Sequence, residues 1–254
     1  MILWRWLMSI LFVVVNAVMM LILGILFFPW AVVSPKGALT ACKLYTYWVR
    51  FACRWLVGIR WEVRGEIPTE ECLVVAKHQS FLDIIMIFQA VPKPRFIMKR
   101  ELLWTPIIGV YAWRLGCVPV ARGKRGAAIK KMMADIGSGR VAPGQLVIYP
   151  QGTRVRPGDY RPFKVGSFVL YKQLAQACVP TATNAGLYWR KGTMLRLPGR
   201  AVIEFLPTIQ PGVEQADFMG QLEYEIETGS NALMREVGYD GNLPKPGQAQ
   251  GSES

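Results

Sequence analysis

The feature that most constrains this chain is the run Leu7–Phe28, 22 residues whose only polar side chains are Ser9 and Asn16, stopped by Pro29. At about 1.5 Å per residue a helix of that length reaches about 33 Å, enough to cross a bilayer core. It is too long for the apolar region of a signal peptide, and no small-residue cleavage site follows it. Its flanks are lopsided, with Arg5 ahead and Lys36, Lys43, Arg50, Arg54, Arg60 and Arg64 behind. A spanning helix with those flanks leaves the bulk of the chain in the cytoplasm. The mean hydropathy of +0.24, with 52% hydrophobic residues, leaves apolar surface for lipid beyond what a core needs, and it excludes a disordered or collagen-like polymer.

From Leu39 to Gly58 the pattern becomes a basic amphipathic helix, with Leu44, Trp48, Phe51 and Trp55 on one stripe and Lys43, Arg50 and Arg54 on another. Such a helix suits the membrane interface. The two segments equally suit an antiparallel pair that dips into one leaflet, turning at Ser34–Gly37. The net charge is +13, and residues 1–127 hold 16 basic against 6 acidic side chains. The positive excess therefore travels with the apolar segments, which points to anionic membrane lipids as partners and away from nucleic acid.

Beyond Gly58 short apolar runs alternate with helical patterns. Strands are expected at Ile59–Val63, Cys72–Ala76, Arg95–Met98, Cys117–Val120, Leu146–Tyr149, Pro180–Leu187 and Ala201–Leu206. Helices are expected at Phe81–Gln89, Gly126–Gly137, Gly166–Ala177 and Glu214–Val237, with Leu102–Arg114 an apolar segment interrupted by Pro106. That alternation predicts an α/β fold with a largely parallel sheet flanked by helices. The expected organisation is a membrane-associated helical segment over 1–58, an α/β domain over 59–240, and a Gly/Pro/Gln/Ser-rich disordered tail over 241–254.

The five cysteines include no C-x-x-C pair, so no disulfide framework is expected. With one histidine, His78, neither a Cys₂His₂ zinc site nor a two-histidine iron site is possible within one chain, and no metal is expected. In open α/β sheets ligands gather beyond the carboxyl ends of the strands. Two buried runs end in polar turns of unusual composition, Lys77-His78-Gln79-Ser80 after Cys72–Ala76 and Pro150-Gln151-Gly152-Thr153-Arg154 after Leu146–Tyr149. His78 in a turn and Asp83 five residues on, one turn into the next helix, allow the carboxylate to reach back to Nδ1–H and leave Nε2 free as a general base. No G-x-S-x-G elbow exists for a serine nucleophile. Runs of basic residues follow three of the strands: Lys99 and Arg100, then Arg122, Lys124 and Arg125, then Arg154 and Arg156. Arginine forks and a glycine turn exposing amides are suited to phosphate.

These blocks together resemble the 1-acylglycerol-3-phosphate acyltransferase family, the bacterial enzymes that make phosphatidic acid. His78-Gln-Ser-Phe-Leu-Asp83 matches its N-H-x₄-D block, with Lys77 where Asn is common. Lys99-x₂-Leu102-x₆-Gly109-x₁₂-Arg122 matches its second block, Tyr149-Pro-Gln-Gly-Thr-Arg154 resembles F-P-E-G-T-R, and Val179-Pro180 its short V-P block. The resemblance spans about residues 40–210 and implies a glycerolipid acyltransferase-type fold with an N-terminal membrane-associated helix pair. It implies that His78 is the base and Asp83 its orienter, that Lys99, Arg122 and Arg154 hold the glycerol phosphate, and that Gln151, Gly152 and Thr153 line the acceptor pocket. The expected partners are lysophosphatidic acid and an acyl donor, acyl-CoA or acyl carrier protein, with no cofactor. The expected location is a bacterial inner membrane with the catalytic domain on the cytoplasmic side. Gln151 departs from the family's usual glutamate. An acceptor such as lyso-ornithine lipid, or a non-catalytic protein that binds anionic lipid, is the alternative.

Overall fold

In the computed structural model, which describes residues 2–120, 130, 134, 138 and 144–243, seven strands form one sheet. They are β1 (Ile59–Arg64), β2 (Cys72–Ala76), β3 (Pro94–Lys99), β4 (Val118–Val120), β5 (Gln145–Ile148), β6 (Cys178–Thr183) and β7 (Gly199–Phe205). Their order is β1-β7-β6-β2-β5-β3-β4, and every pairing is parallel except β6 with β7. The mixed, mostly parallel sheet expected from the alternation is present. β2 lies in the middle because all five of its residues are apolar and can be buried on both faces. Cys72, Val74 and Ala76 enter one core and Leu73 and Val75 the other, following the two-residue period of a strand.

Three helices precede the sheet, α1 (Ile2–Leu26), α2 (Phe28–Val33) and α3 (Pro35–Leu56). Among the described residues the other α-helices are α4 (Phe81–Ala90), α5 (Ile108–Arg114), α6 (Gly166–Leu174) and α7 (Gln215–Glu236). Phe12, Val49, Cys53, Leu82 and Met86, from α1, α3 and α4, cover one face of the sheet, and Phe168, Phe218, Leu222 and Ile226, from α6 and α7, cover the other. The N-terminal helices thus share the main core with the sheet.

α1 is docked along much of its length. Ser9 Oγ accepts from the Arg196 amide at 2.9 Å, Phe12 meets Trp189 edge to face at 5.2 Å, and Tyr111 Oη donates to the Gly24 carbonyl at 2.8 Å. Ser9 to Gly24 is about 22 Å of helix held against the rest of the chain. The opposite face, with Leu7, Val14, Val18, Leu21 and Ile25, is exposed. Pro29 does not end the helical run; it sits in the first turn of α2, where a missing amide costs nothing. Because Phe12 is fully buried, Phe12→Ala is expected to cost about 3–5 kcal/mol of stability in a denaturant titration of the detergent-solubilised protein.

α3 presents Leu44, Phe51 and Trp55 outward, as an interfacial helix requires, but Lys43 does not lie on its solvent-facing basic stripe. Its Nζ donates to the carbonyls of Phe88, Gln89 and Val91 at 2.6–2.9 Å, capping the C-terminus of α4, and burial lowers its pKa to about 8. Leu102–Arg114 divides at Pro106 into a 3₁₀ turn (Arg100–Trp104) and α5. The expected strand Pro180–Leu187 instead runs Cys178–Thr183, because the Asn184 side chain accepts from the Val202 amide at 2.7 Å and fixes the chain in a turn. The expected helix Gly126–Gly137 and the tail beyond Leu243 fall almost wholly outside the described residues.

Candidate active site

Strands β2 and β5 are parallel neighbours, so the turns that follow them open on the same edge of the sheet. The Val155 amide in the second turn donates to the His78 carbonyl in the first at 2.8 Å, locking the two together. Ser80 caps α4, its Oγ accepting from the Leu82 amide at 3.0 Å. Asp83, three residues on, completes the capping box: its Oδ2 accepts from the Ser80 amide at 2.7 Å and the Gln79 amide at 2.8 Å. The other oxygen, Oδ1, is 3.0 Å from His78 Nδ1. One fully buried carboxylate therefore both starts the helix and orients the imidazole, and its position on Nδ1 leaves the Nε2 lone pair free. Ser80 Oγ donates to the Trp189 carbonyl at 2.7 Å, so this hydroxyl is engaged as donor and acceptor and is not a free nucleophile.

Tyr149 stacks on the His78 ring, centroids 4.0 Å apart and planes inclined by 21°. Burial, with the Asp83 carboxylate nearby, pushes the phenol pKa well up, so this partner stays protonated. Gly152 closes the turn after β5 at φ +69°, its amide donating to the Tyr149 carbonyl at 3.0 Å; a side chain there would be strained.

His78 opens into a cavity of about 1260 Å³. Gly152, Thr153 and Arg154 from the turn after β5 and Lys99 from the end of β3 are in its lining. Much of the rest of the wall is apolar, including Leu23 of α1, Ala41 of α3, Ile85 and Phe88 of α4 and Tyr111 of α5. The structure thus brings His78, Asp83, Lys99, Gly152, Thr153 and Arg154 to one place. Gln151 is with them in sequence but not in the cavity wall: its side chain is fully buried and turned to Glu227 and the His78 amide. That corrects the expectation that it lines the acceptor pocket, and the physical reason is that its amide group is drawn to Glu227 and to the His78 backbone amide, away from the cavity. Arg122, with Lys124 and Arg125, lies outside the described residues.

Sequence reasoning missed two more cations on the cavity wall, Lys164 and Lys191. Lys191 Nζ donates to the Arg154 carbonyl at 3.0 Å. It also missed Glu227, although a glutamate between the buried Ile226 and Ser230 of α7 was a signal that a charge points inward.

The fold is a sheet between two helical layers, with a histidine–carboxylate dyad facing a largely apolar cavity that carries Lys99, Arg154, Lys164 and Lys191 in its lining, and the Acyltransferase family profile matches residues 59–184. A mouse protein named 1-acyl-sn-glycerol-3-phosphate acyltransferase alpha is 31% identical over 207 residues, 77% of this chain and 73% of its own. The Pseudomonas aeruginosa 1-acyl-sn-glycerol-3-phosphate acyltransferase is 30% identical over 196 residues, 75% of this chain and 76% of its own. The chain belongs to the 1-acyl-sn-glycerol-3-phosphate acyltransferase family. The crystal structure of the 1-acyl-sn-glycerophosphate (LPA) acyltransferase PlsC from Thermotoga maritima shares the fold, with a TM-score of 0.73 at 20% identity, covering 90% of this chain and 97% of that one.

Proposed function

We propose that this enzyme transfers an acyl chain from a thioester, acyl-CoA or acyl carrier protein, to the sn-2 hydroxyl of lysophosphatidic acid, giving phosphatidic acid. The observation that carries this reading is the cavity, whose lining combines His78, the cations Lys99, Arg154, Lys164 and Lys191, and extensive apolar wall. That combination matches an acceptor with a phosphate and an acyl chain. The relatives' names support the same acceptor.

His78 Nε2 takes the proton of the acceptor hydroxyl as its oxygen attacks the thioester carbonyl. The tetrahedral intermediate collapses by breaking the C–S bond, and the leaving thiolate takes the proton back from the imidazolium. Asp83 holds the ring in the required tautomer throughout. Burial in the cavity holds the two substrates in place, which is a large part of the rate. Incubating the solubilised protein with lysophosphatidic acid and labelled acyl-CoA, and separately acyl carrier protein loaded with the same chain, tests the reading. Labelled phosphatidic acid from either donor supports it and identifies the donor; retained lipid binding with no transfer from either overturns it. A lyso-lipid without phosphate, such as lyso-ornithine lipid, is expected to be a poor acceptor.

The membrane reading is that α1 and α3 lie in the cytoplasmic leaflet of a bacterial inner membrane. It is supported by a helix apolar and long enough to cross a bilayer, docked along its length on the catalytic fold, and by the exposed Leu44, Phe51 and Trp55 beside Arg54. Removing residues 1–58 would open the core at Phe12, Val49 and Cys53, so point variants on the outer face are the proper test. Phe51→Glu with Trp55→Glu is expected to weaken partitioning onto vesicles containing anionic lipid at least about tenfold, without loss of fold. Undiminished sedimentation with the vesicles would place the anchor elsewhere.

A further inference from the structure

Behind His78, on the side away from the cavity, lie three almost fully buried polar side chains, Lys77, Gln151 and Glu227. Lys77 Nζ donates to Glu227 Oε1. Gln151 Nε2 donates to the same oxygen at 3.4 Å, and Gln151 Oε1 accepts from the His78 backbone amide at 3.4 Å. A continuous chain of polar contacts therefore runs from the ion pair through the glutamine to the backbone of the proposed base. Glu227 comes from α7, 150 residues from Lys77 in sequence. Glu227 Oε2 has no hydrogen-bond partner among the described residues.

Burial lowers the pKa of Lys77 and raises that of Glu227, and each partner opposes the effect of burial on the other. Either charge alone in this place would be far more costly than the pair. The charge count also accounts for two departures from the family pattern at once. Lys77 stands where Asn is common and Gln151 where Glu is usual. A glutamate at 151 would set a second carboxylate against Glu227 across a 3.4 Å contact, with one lysine to balance both. An amide at 151 keeps the acceptor for the His78 amide, gains a donor for Glu227, and adds no further negative charge to a trio on which the Glu223 carboxylate of the same helix already acts.

We infer that Glu227 and Lys77 are positioning residues for His78: the carboxylate that the family's turn carries at 151 is supplied in this chain from α7, and Gln151 relays it to the His78 backbone. The inference rests on reading His78 as the base. It explains why restoring the family's residue at 151 is not a repair here.

The test is a charge-relocation cycle on the full-length protein, with kcat, KM for both substrates and Tm measured for each variant. Gln151→Glu and Glu227→Gln are each expected to lower kcat about tenfold or more, and Glu227→Gln to lower Tm by on the order of 10 °C, because each unbalances the buried trio. The double variant Gln151→Glu/Glu227→Gln restores the charge count and is expected to return kcat to within about threefold of the parent. KM should stay put for both substrates throughout, because none of the three lines the cavity. Should a single variant fail to fold, the paired apolar replacement Lys77→Met/Glu227→Leu keeps the core filled; there kcat is expected to fall about tenfold at nearly unchanged Tm. Losses that simply multiply in the double variant, or a Lys77→Met/Glu227→Leu protein turning over like the parent, overturn the inference. His78→Ala measured alongside separates the two readings: near-parental turnover in that variant removes the base, and with it the positioning role, whatever the cycle gives.

Discussion

His78→Ala is expected to lower kcat by about 10²–10⁴-fold with little change in Tm, as loss of a general base does. The ring sits at the cavity wall, about 14% exposed on its side chain, and its principal packing partner is Tyr149. Removing it therefore deletes a base without opening the core. Asp83→Asn should behave differently. Its carboxylate accepts from the Gln79 and Ser80 amides as well as facing Nδ1, so the variant loses turnover through a misplaced tautomer and also loses about 0.5–2 kcal/mol of helix capping. Steady-state kinetics and thermal melts on both variants separate these effects. A His78→Ala protein with near-parental turnover, or an Asp83→Asn protein that loses stability while keeping full turnover, would sink the dyad.

What could be read in the sequence was what short-range chemistry dictates. The His78–Asp83 spacing follows from a capping box, a device contained within one helical turn, so five residues were enough to place the carboxylate beside the ring. The strand-to-turn exits at Ala76 and Tyr149 were legible because buried apolar runs end abruptly in polar residues, and parallel pairing of β2 with β5 then puts both turns on one edge. Of the stripe Leu44, Trp48, Phe51 and Trp55, three residues face outward as the 3.6-residue period implied, while Trp48 turns in against the core.

The rest depended on contacts between distant segments. Lys43 looked like an interfacial cation until the C-terminus of α4 was brought to it, 45 residues away. Ser9, a polar blemish in an apolar run, is the acceptor for the Arg196 amide, a partner 187 residues off. Gln151 was read as a pocket residue from its motif neighbours, but the direction of its side chain is set by Glu227, which no local pattern connects to it. Lys164 and Lys191 likewise reach the cavity only through the path of the chain around it.

Those two lysines sharpen the remaining prediction, the phosphate clamp. Lys99 ends β3 and Arg154 lies in the turn after β5, its parallel neighbour, and both line the one cavity, which is the basis for assigning them one anion. A phosphate monoester carries up to two charges and three acceptor oxygens, which one cation cannot satisfy. Charge-assisted hydrogen bonds are worth about 1.5–3 kcal/mol each, so Arg154→Ala is expected to raise the KM of lysophosphatidic acid about 10- to 150-fold at about 1.4 kcal/mol per decade. Lys99→Ala should fall in the lower part of that range, because an ammonium offers a point charge where guanidinium offers a planar fork. For the same reason Arg154→Lys should rescue only part of the loss. Lys191→Ala is expected to act more weakly, since its Nζ already holds the Arg154 carbonyl and its loss would loosen the turn more than strip a donor from the phosphate. Arg122 is assayed in the same way, its effect on acceptor KM being the direct test of its family role. The donor KM is expected to move far less in every case, because the phosphates of CoA or of a carrier protein's phosphopantetheine lie a full pantetheine arm away from the reacting thioester. Varying each substrate in turn decides it: if Arg154→Ala and Lys99→Ala weakened the donor as much as the acceptor, these cations would be structural supports for the turn and the clamp would have to be sought elsewhere on the cavity wall.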